Sequence, residues 1–169
     1  MTTTIEALSA FAPLAALDRT ELATLARAGQ DVCFRRGQRL IVEGRHADRC
    51  WLIDSGQVVL DAAVPGRGEV VVQTLGPGEL LGWSWLVPPH RWQFGAIAAE
   101  PVRAIEFDAQ QLVAMADADP RFGHALTLLL FGALLDRLQA TRARLLDLYG
   151  NPGRTSTGAM SSGAAGGAR

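Results

Sequence analysis

The chain has 169 residues, of which 49% are apolar and 20% charged, and its net charge is −1 at pH 7. Such a mix predicts one domain with a real core, and the near-neutral balance excludes a nucleic-acid binder that works by bulk electrostatics. No basic start or apolar leader is readable at the N-terminus, and the longest apolar segment, around residues 125–135, is far shorter than a membrane span. No membrane contact and a cytoplasmic location are therefore expected.

Residues 5–28 read as two short helices, because Leu8, Phe11, Leu14, Leu17, Leu22 and Leu25 recur mostly at steps of three and four. Asp18 opens D-R-T-E, a capping-box pattern with Glu21 at its third position, and Gly29 is placed to end the second helix. From residue 30 the period changes to two. Val32 and Phe34, Leu40 and Val42, Trp51 and Ile53, then Val58, Leu60 and Ala62 mark four short strands separated by glycine turns. Pro65-Gly66-Arg67-Gly68 is a hairpin tip, after which Val70, Val72 and Thr74 share one face of the next strand and Val71 and Gln73 the other. Short strands at near-regular spacing predict an antiparallel sandwich or barrel.

Residues 76–99, GPGELLGWSWLVPPHRWQFGAIAA, interrupt the pattern with three of the four tryptophans and three of the eight prolines. Glycines there let the backbone turn tightly and approach a ligand closely. One more strand follows at 102–107, then a helix at 109–116 with Asp108 as N-cap. Pro120 begins a helix to about residue 149, roughly 45 Å long. Phe131, Leu134, Leu138, Thr141, Leu145 and Leu148 make an a/d seam along it, with Leu128, Leu135, Arg142 and Tyr149 in a row beside. Both rows packing within one monomer is the alternative, but a helix longer than the barrel it covers predicts a homodimer along that seam. Residues 151–169 are dominated by Gly, Ser, Thr and Ala and are expected to be a disordered tail. The fold class is therefore α+β, an antiparallel β-roll between N-terminal helices (5–29) and C-terminal helices (108–149), with the roll at 30–107 and the whole domain at 1–150.

The run Gly37 to Val58, GQRLIVEGRHADRCWLIDSGQV, resembles the cyclic-nucleotide-binding domain of the catabolite-activator (Crp/Fnr) type, with its glycine turn, E-G, A-D and hydrophobic-I-x-S-G-x-V spacing. In that family the phosphate-binding cassette reads G-E-L-F-G-E-L-A-L, a variable turn, then R-[ST]-A. The resemblance implies that amides at a short helix start and the arginine hold the cyclic phosphate, while the second glutamate takes the ribose. Gly78, Glu79, Leu80 and Gly82 match. Trp83 then stands at the ribose glutamate, followed by Ser84 and by Trp85 at a small-residue position. The arginine motif falls on Trp92-Gln93-Phe94, with Arg91 one residue earlier, either the replacement guanidinium if the Pro88-Pro89 turn shifts the register or a solvated surface arginine. Arg137-Leu138-Gln139-Ala140-Thr141 resembles the family's R-L-Q-x-T, whose threonine reaches the purine across the dimer. A hydroxyl bonded back to its own helix is the alternative for Thr141.

Two functions follow. The first is a stand-alone sensor or regulatory domain binding a cyclic nucleotide (cyclic AMP or cyclic GMP) or a related small ligand through Gly78, Glu79, Leu80, Gly82, Trp83, Ser84, Trp85, Arg91, Trp92, Gln93 and Thr141. The second is a ligand-free interaction module, its cassette filled by tryptophans, acting through homo- or heterodimerisation with an unidentified protein partner. Family transcription factors continue into a helix-turn-helix domain after the long helix, whereas this sequence ends in its small-residue tail, so no direct DNA binding is expected. An enzyme is not expected either. His46, His90 and His124 are dispersed, Cys33 and Cys50 lack metal-ligand spacing, and no haem attachment motif is present.

Overall fold

The computed structural model describes residues 3–150, with side chains through residue 147. The described chain divides between Leu134 and Leu135 into two units. In the first, helix α1 (Ile5–Ser9), a 3₁₀ turn (Ala12–Ala16) and helix α2 (Arg19–Ala28) precede the strands. Asp18 caps α2 through a complete capping box: its carboxylate accepts from the amides of Thr20 and Glu21, and Glu21 reaches back to the Asp18 amide.

Among the described residues, eight strands form two four-stranded antiparallel sheets. They are β1 (Gly29–Phe34), β2 (Arg39–Ile41), β3 (Arg49–Ser55), β4 (Val58–Val64), β5 (Gly68–Leu75), β6 (Leu80–Leu81), β7 (Gly95–Ala98) and β8 (Val102–Asp108). One sheet runs β1-β8-β3-β6 and the other β2-β7-β4-β5. Strand alternation divides β3 between two environments. Cys50 and Leu52 line a small apolar space with Leu14, Leu25, Leu112 and Leu126 from the helices, so Trp51 and Ile53 face into the roll. From the second sheet Ile41, Val58, Leu60, Ala96 and Ala98 close the same core.

Helix α3 (Ala109–Ala118) runs two residues further than its sequence pattern, and helix α4 (Pro120–Gly150) follows after Asp119. Asp108 caps α3 as expected, accepting from the Gln111 amide at 2.9 Å. Phe122, Leu126 and Leu130 anchor the first part of α4 in the core. In the second unit Leu135, Leu138, Leu145 and Leu146 are exposed. The Leu148 position of the seam and the tail from residue 151 lie outside the residues whose side chains or backbone are described.

Two strand patterns differ from the alternation read in sequence. A register shift between Leu60 and Asp61 breaks the Val58-Leu60-Ala62 phase, burying Asp61 and leaving Ala62 half-buried. Strand β5 pairs on one side only, with β4, and its Val70, Val71 and Val72 are all exposed, so neither face is dry until Leu75.

Candidate functional site

The glycine frame of the cassette is formed. Gly78 and Gly82 both lie at φ +85°, a left-handed conformation that a side chain disfavours. The Gly78 amide donates to the Ile53 carbonyl at 2.8 Å, and Ile53 donates back to the Glu79 carbonyl at 3.1 Å. These two bonds fasten the loop to β3. The Glu79 carboxylate folds onto its own turn, accepting from the Gly76 amide at 2.7 Å. Leu80 is buried in β6, beside Leu52 in register.

Beyond Gly82 the chain makes a three-residue 3₁₀ turn, Ser84–Leu86, with Trp83 half-buried against the core just before it. Trp85 is buried, and its indole N–H donates to the Gly82 carbonyl at 3.1 Å. The Pro88–Pro89 peptide is cis, and His90 follows at φ +54°. His90 Nδ1 lies 2.8 Å from the Trp85 carbonyl. A carbonyl only accepts, so Nδ1 carries the proton and Nε2 is left as an acceptor. The cassette is thus hydrogen-bonded to itself at both ends of its turn.

Trp92 carries the returning chain inward. It is only 6% exposed, its ring centroid lies 6.0 Å from that of Trp51, and the two planes tilt by 32°. A Cβ on Gly82 would come within 3.0 Å of the Trp92 ring and 3.1 Å of the Arg49 carbonyl. The indole therefore occupies the space directly against the glycine that ends the matched motif. Trp51 is in turn packed edge-on by Phe34, and its N–H donates to Glu106 at 2.7 Å, a carboxylate that also pairs with Arg49.

Arg91 turns the other way. Its guanidinium donates to the Gly44 carbonyl at 2.8 Å on the exposed rim. Backbone bonds between Gly44 and Trp92, and between Trp92 and Arg45, each 2.9 Å, join the two turns there. Gln93 is exposed and donates weakly to the Arg91 carbonyl at 3.3 Å. Residues 78–93 of the expected set are thus brought together. Thr141 belongs to the second unit, and its hydroxyl donates to the Arg137 carbonyl of its own helix at 2.9 Å.

Electrostatics around the cassette are those of a packed interior. Burial pushes the Cys50 thiol up to about 12, with Trp85 offsetting part of this and the charges of Glu106 and Asp108 adding to it. Across the second sheet Arg39 bridges buried Asp61 at 3.0 Å and exposed Glu69 at 3.1 Å. The hydrogen bond to Asp61, foremost, holds the Arg39 guanidinium above its ordinary value against desolvation. A Cβ on Gly95 would lie 2.1 Å from Asp61 Oδ1, so only glycine lets this bridge cross β7.

The family model for the cyclic nucleotide-binding domain matches residues 31–119, slightly more than half the sequence. The chain belongs to the cyclic nucleotide-binding domain family. Among curated proteins it is 28% identical over 142 residues to a CRP-like cAMP-activated global transcriptional regulator of Mycobacterium tuberculosis, covering 83% of this chain and 62% of that relative. Among solved structures it is similar to a candidate cyclic nucleotide-binding protein from Geobacter metallireducens, with 26% identity and a TM-score of 0.72, covering 80% of this chain and 98% of the other. It is also similar to the N-terminal domain of a transcriptional regulator from Streptomyces coelicolor, with 27% identity and a TM-score of 0.63, covering 80% and 94%. Gly44, Arg45 and Trp51 join the cassette through contacts with Arg91 and Trp92, roles that the E-G motif and the strand pattern containing them do not reveal.

Proposed function

We propose that this cyclic nucleotide-binding domain is a regulatory module that works through protein contacts and does not hold a cyclic phosphate in the family's manner. The observation that carries this reading is the exchange of places between two neighbours: Trp92 packs inward against Gly82 and Trp51, while Arg91 is tied outward to the Gly44 carbonyl. A cyclic phosphate needs a guanidinium or amides facing it, and a ribose needs an acceptor. Here the acceptor position is Trp83 and the guanidinium is engaged on the rim.

The contact surface we assign is the exposed apolar row of the long helix, Leu135, Leu138 and Leu145, which fits a second helix of the same kind. Its partner is a second copy of this chain or a related subunit. The relative in Mycobacterium tuberculosis is a transcriptional regulator of which this chain spans 62%, which supports a role in signal transduction.

A second reading, cyclic-nucleotide binding, draws support from the retained positive-φ glycines 78 and 82 and from the cAMP activation of that relative. Calorimetric titration with cyclic AMP and cyclic GMP separates the two. No saturable heat up to millimolar ligand is expected. Micromolar binding that disappears in Arg91→Ala would overturn the first reading in favour of the second.

A further inference from the structure

On the outer side of the cassette a cavity of about 340 Å³ opens between the 46–48 turn, the Trp85–His90 segment and helix α3. Its size is at the low end for small-molecule sites and suits a fragment-sized ligand. The lining combines carbon surface from Ala47, Trp85, Ala109, Val113 and Ala114 with the polar groups of His46, Asp48, His90, Gln110 and Asp117. No arginine contributes, in a chain that carries 16 of them.

The polar groups are biased towards accepting. Asp48 and Asp117 bring two carboxylates, and among the described residues neither side chain has a hydrogen-bond or ion-pair partner. His90 spends its Nδ1 proton on the Trp85 carbonyl, so in the neutral ring Nε2 is a lone-pair acceptor. Trp85 has already committed its N–H to the Gly82 carbonyl, so its indole offers the cavity only carbon. An aromatic carbon surface beside unpaired carboxylates attracts a cation and repels a phosphate.

The geometry points to a binding site here for a small organic ammonium carried on an apolar body. The ammonium donates to Asp48, Asp117 and His90 Nε2, and the body lies along Trp85, Val113 and Ala114. Such a ligand touches both the cassette and α3, and so fixes one against the other. The site stands apart from the roll interior and does not depend on whether a cyclic nucleotide binds there.

The test is titration of the intact chain with phenethylammonium, followed by nuclear magnetic resonance of the indole N–H and methyl signals. Saturable shifts of Trp85 and Val113 are expected, with little response to the neutral phenethyl alcohol or the anionic phenylacetate. Asp48→Asn with Asp117→Asn should weaken binding at least tenfold. Val113→Trp, at an exposed position on the lining, should abolish it without unfolding the chain. Equal responses to the three probes, no saturable response to phenethylammonium, or wild-type affinity in the double variant would each overturn the site. A separate arm with cyclic AMP reads the roll interior: shifts centred on Trp92 would sink the function proposed above and leave this site standing.

Discussion

Trp92 and Gly82 are in direct contact, the indole edge lying where any side chain on Gly82 would have to go. Gly82 also sits at φ +85°. Replacing it with alanine imposes a left-handed backbone on a residue with a Cβ and crowds both the indole and the Arg49 carbonyl. We expect Gly82→Ala to cost about 1–3 kcal/mol. Denaturant unfolding followed by tryptophan fluorescence measures this, and an unchanged midpoint would contradict the packing described.

Asp61 and Gly95 form a second pair of this type on the other sheet. The Gly95→Ala methyl would fall on Asp61 Oδ1 and push it off Arg39. Asp61→Ala alone should cost on the order of 1–3 kcal/mol, since it removes a largely buried acceptor from a charged donor. The two changes should be non-additive, because the first alanine's tightest clash is with the group the second removes, and the remaining one, with Arg39 Nη1 at 2.6 Å, is with the end of a flexible side chain that Asp61→Ala releases. Additive losses in the double variant would argue against the bridge.

Cys50 and Cys33 should differ in reactivity. Cys33 is exposed, whereas Cys50 is buried with its thiol pushed up to about 12 from an ordinary 9.0. A thiol reagent at pH 8 should label one cysteine of the native chain quickly and the second only on unfolding. The same shift makes stability fall with rising pH. Between pH 9 and about pH 12 the unfolded chain has lost the Cys50 proton and the folded one retains it, so stability falls as pH rises through that window. Below pH 9 both states hold the proton and the contribution is flat. A Cys50→Ala variant should lack this portion of the alkaline decline.

The exposed leucines of α4 provide the test of assembly. Leu138→Glu with Leu145→Glu should convert a dimer to a monomer in sedimentation while leaving the melting of the first unit unchanged, because neither residue belongs to its core. An assembly that survives both charges would move the contact elsewhere.

Much of the fold was legible because it is written locally. The capping box at Asp18, the N-cap at Asp108 and the glycine turns are set by neighbours a few residues away, and Gly37, Gly44, Gly56, Gly66, Gly68, Gly78 and Gly82 all adopt the positive φ that such turns require. The cassette frame was legible for the same reason. What it contains was legible only as alternatives, an inward Arg91 or a filling of tryptophans. Whether Arg91 or Trp92 turns inward depends on the 44–47 turn, which lies more than forty residues earlier and is joined to it through the His46–Arg91 bridge. The bulge that buries Asp61 is equally hidden, since period-two reading passes smoothly through Leu60 and Ala62. Its faint signal is the pairing of a charge within a strand with a glycine, Gly95, in the strand that comes to lie beside it.

The contact between Trp92, Gly82 and Trp51 also ties the loop to the sheet behind it. Trp92 rests on a bare glycine on one side and on a β3 indole on the other, so trimming it to alanine empties both contacts at once, at a cost of about 3–5 kcal/mol for a lost core indole. The 76–99 loop is therefore no looser than the roll: its rigidity is borrowed from β3, and a change that frees one frees the other.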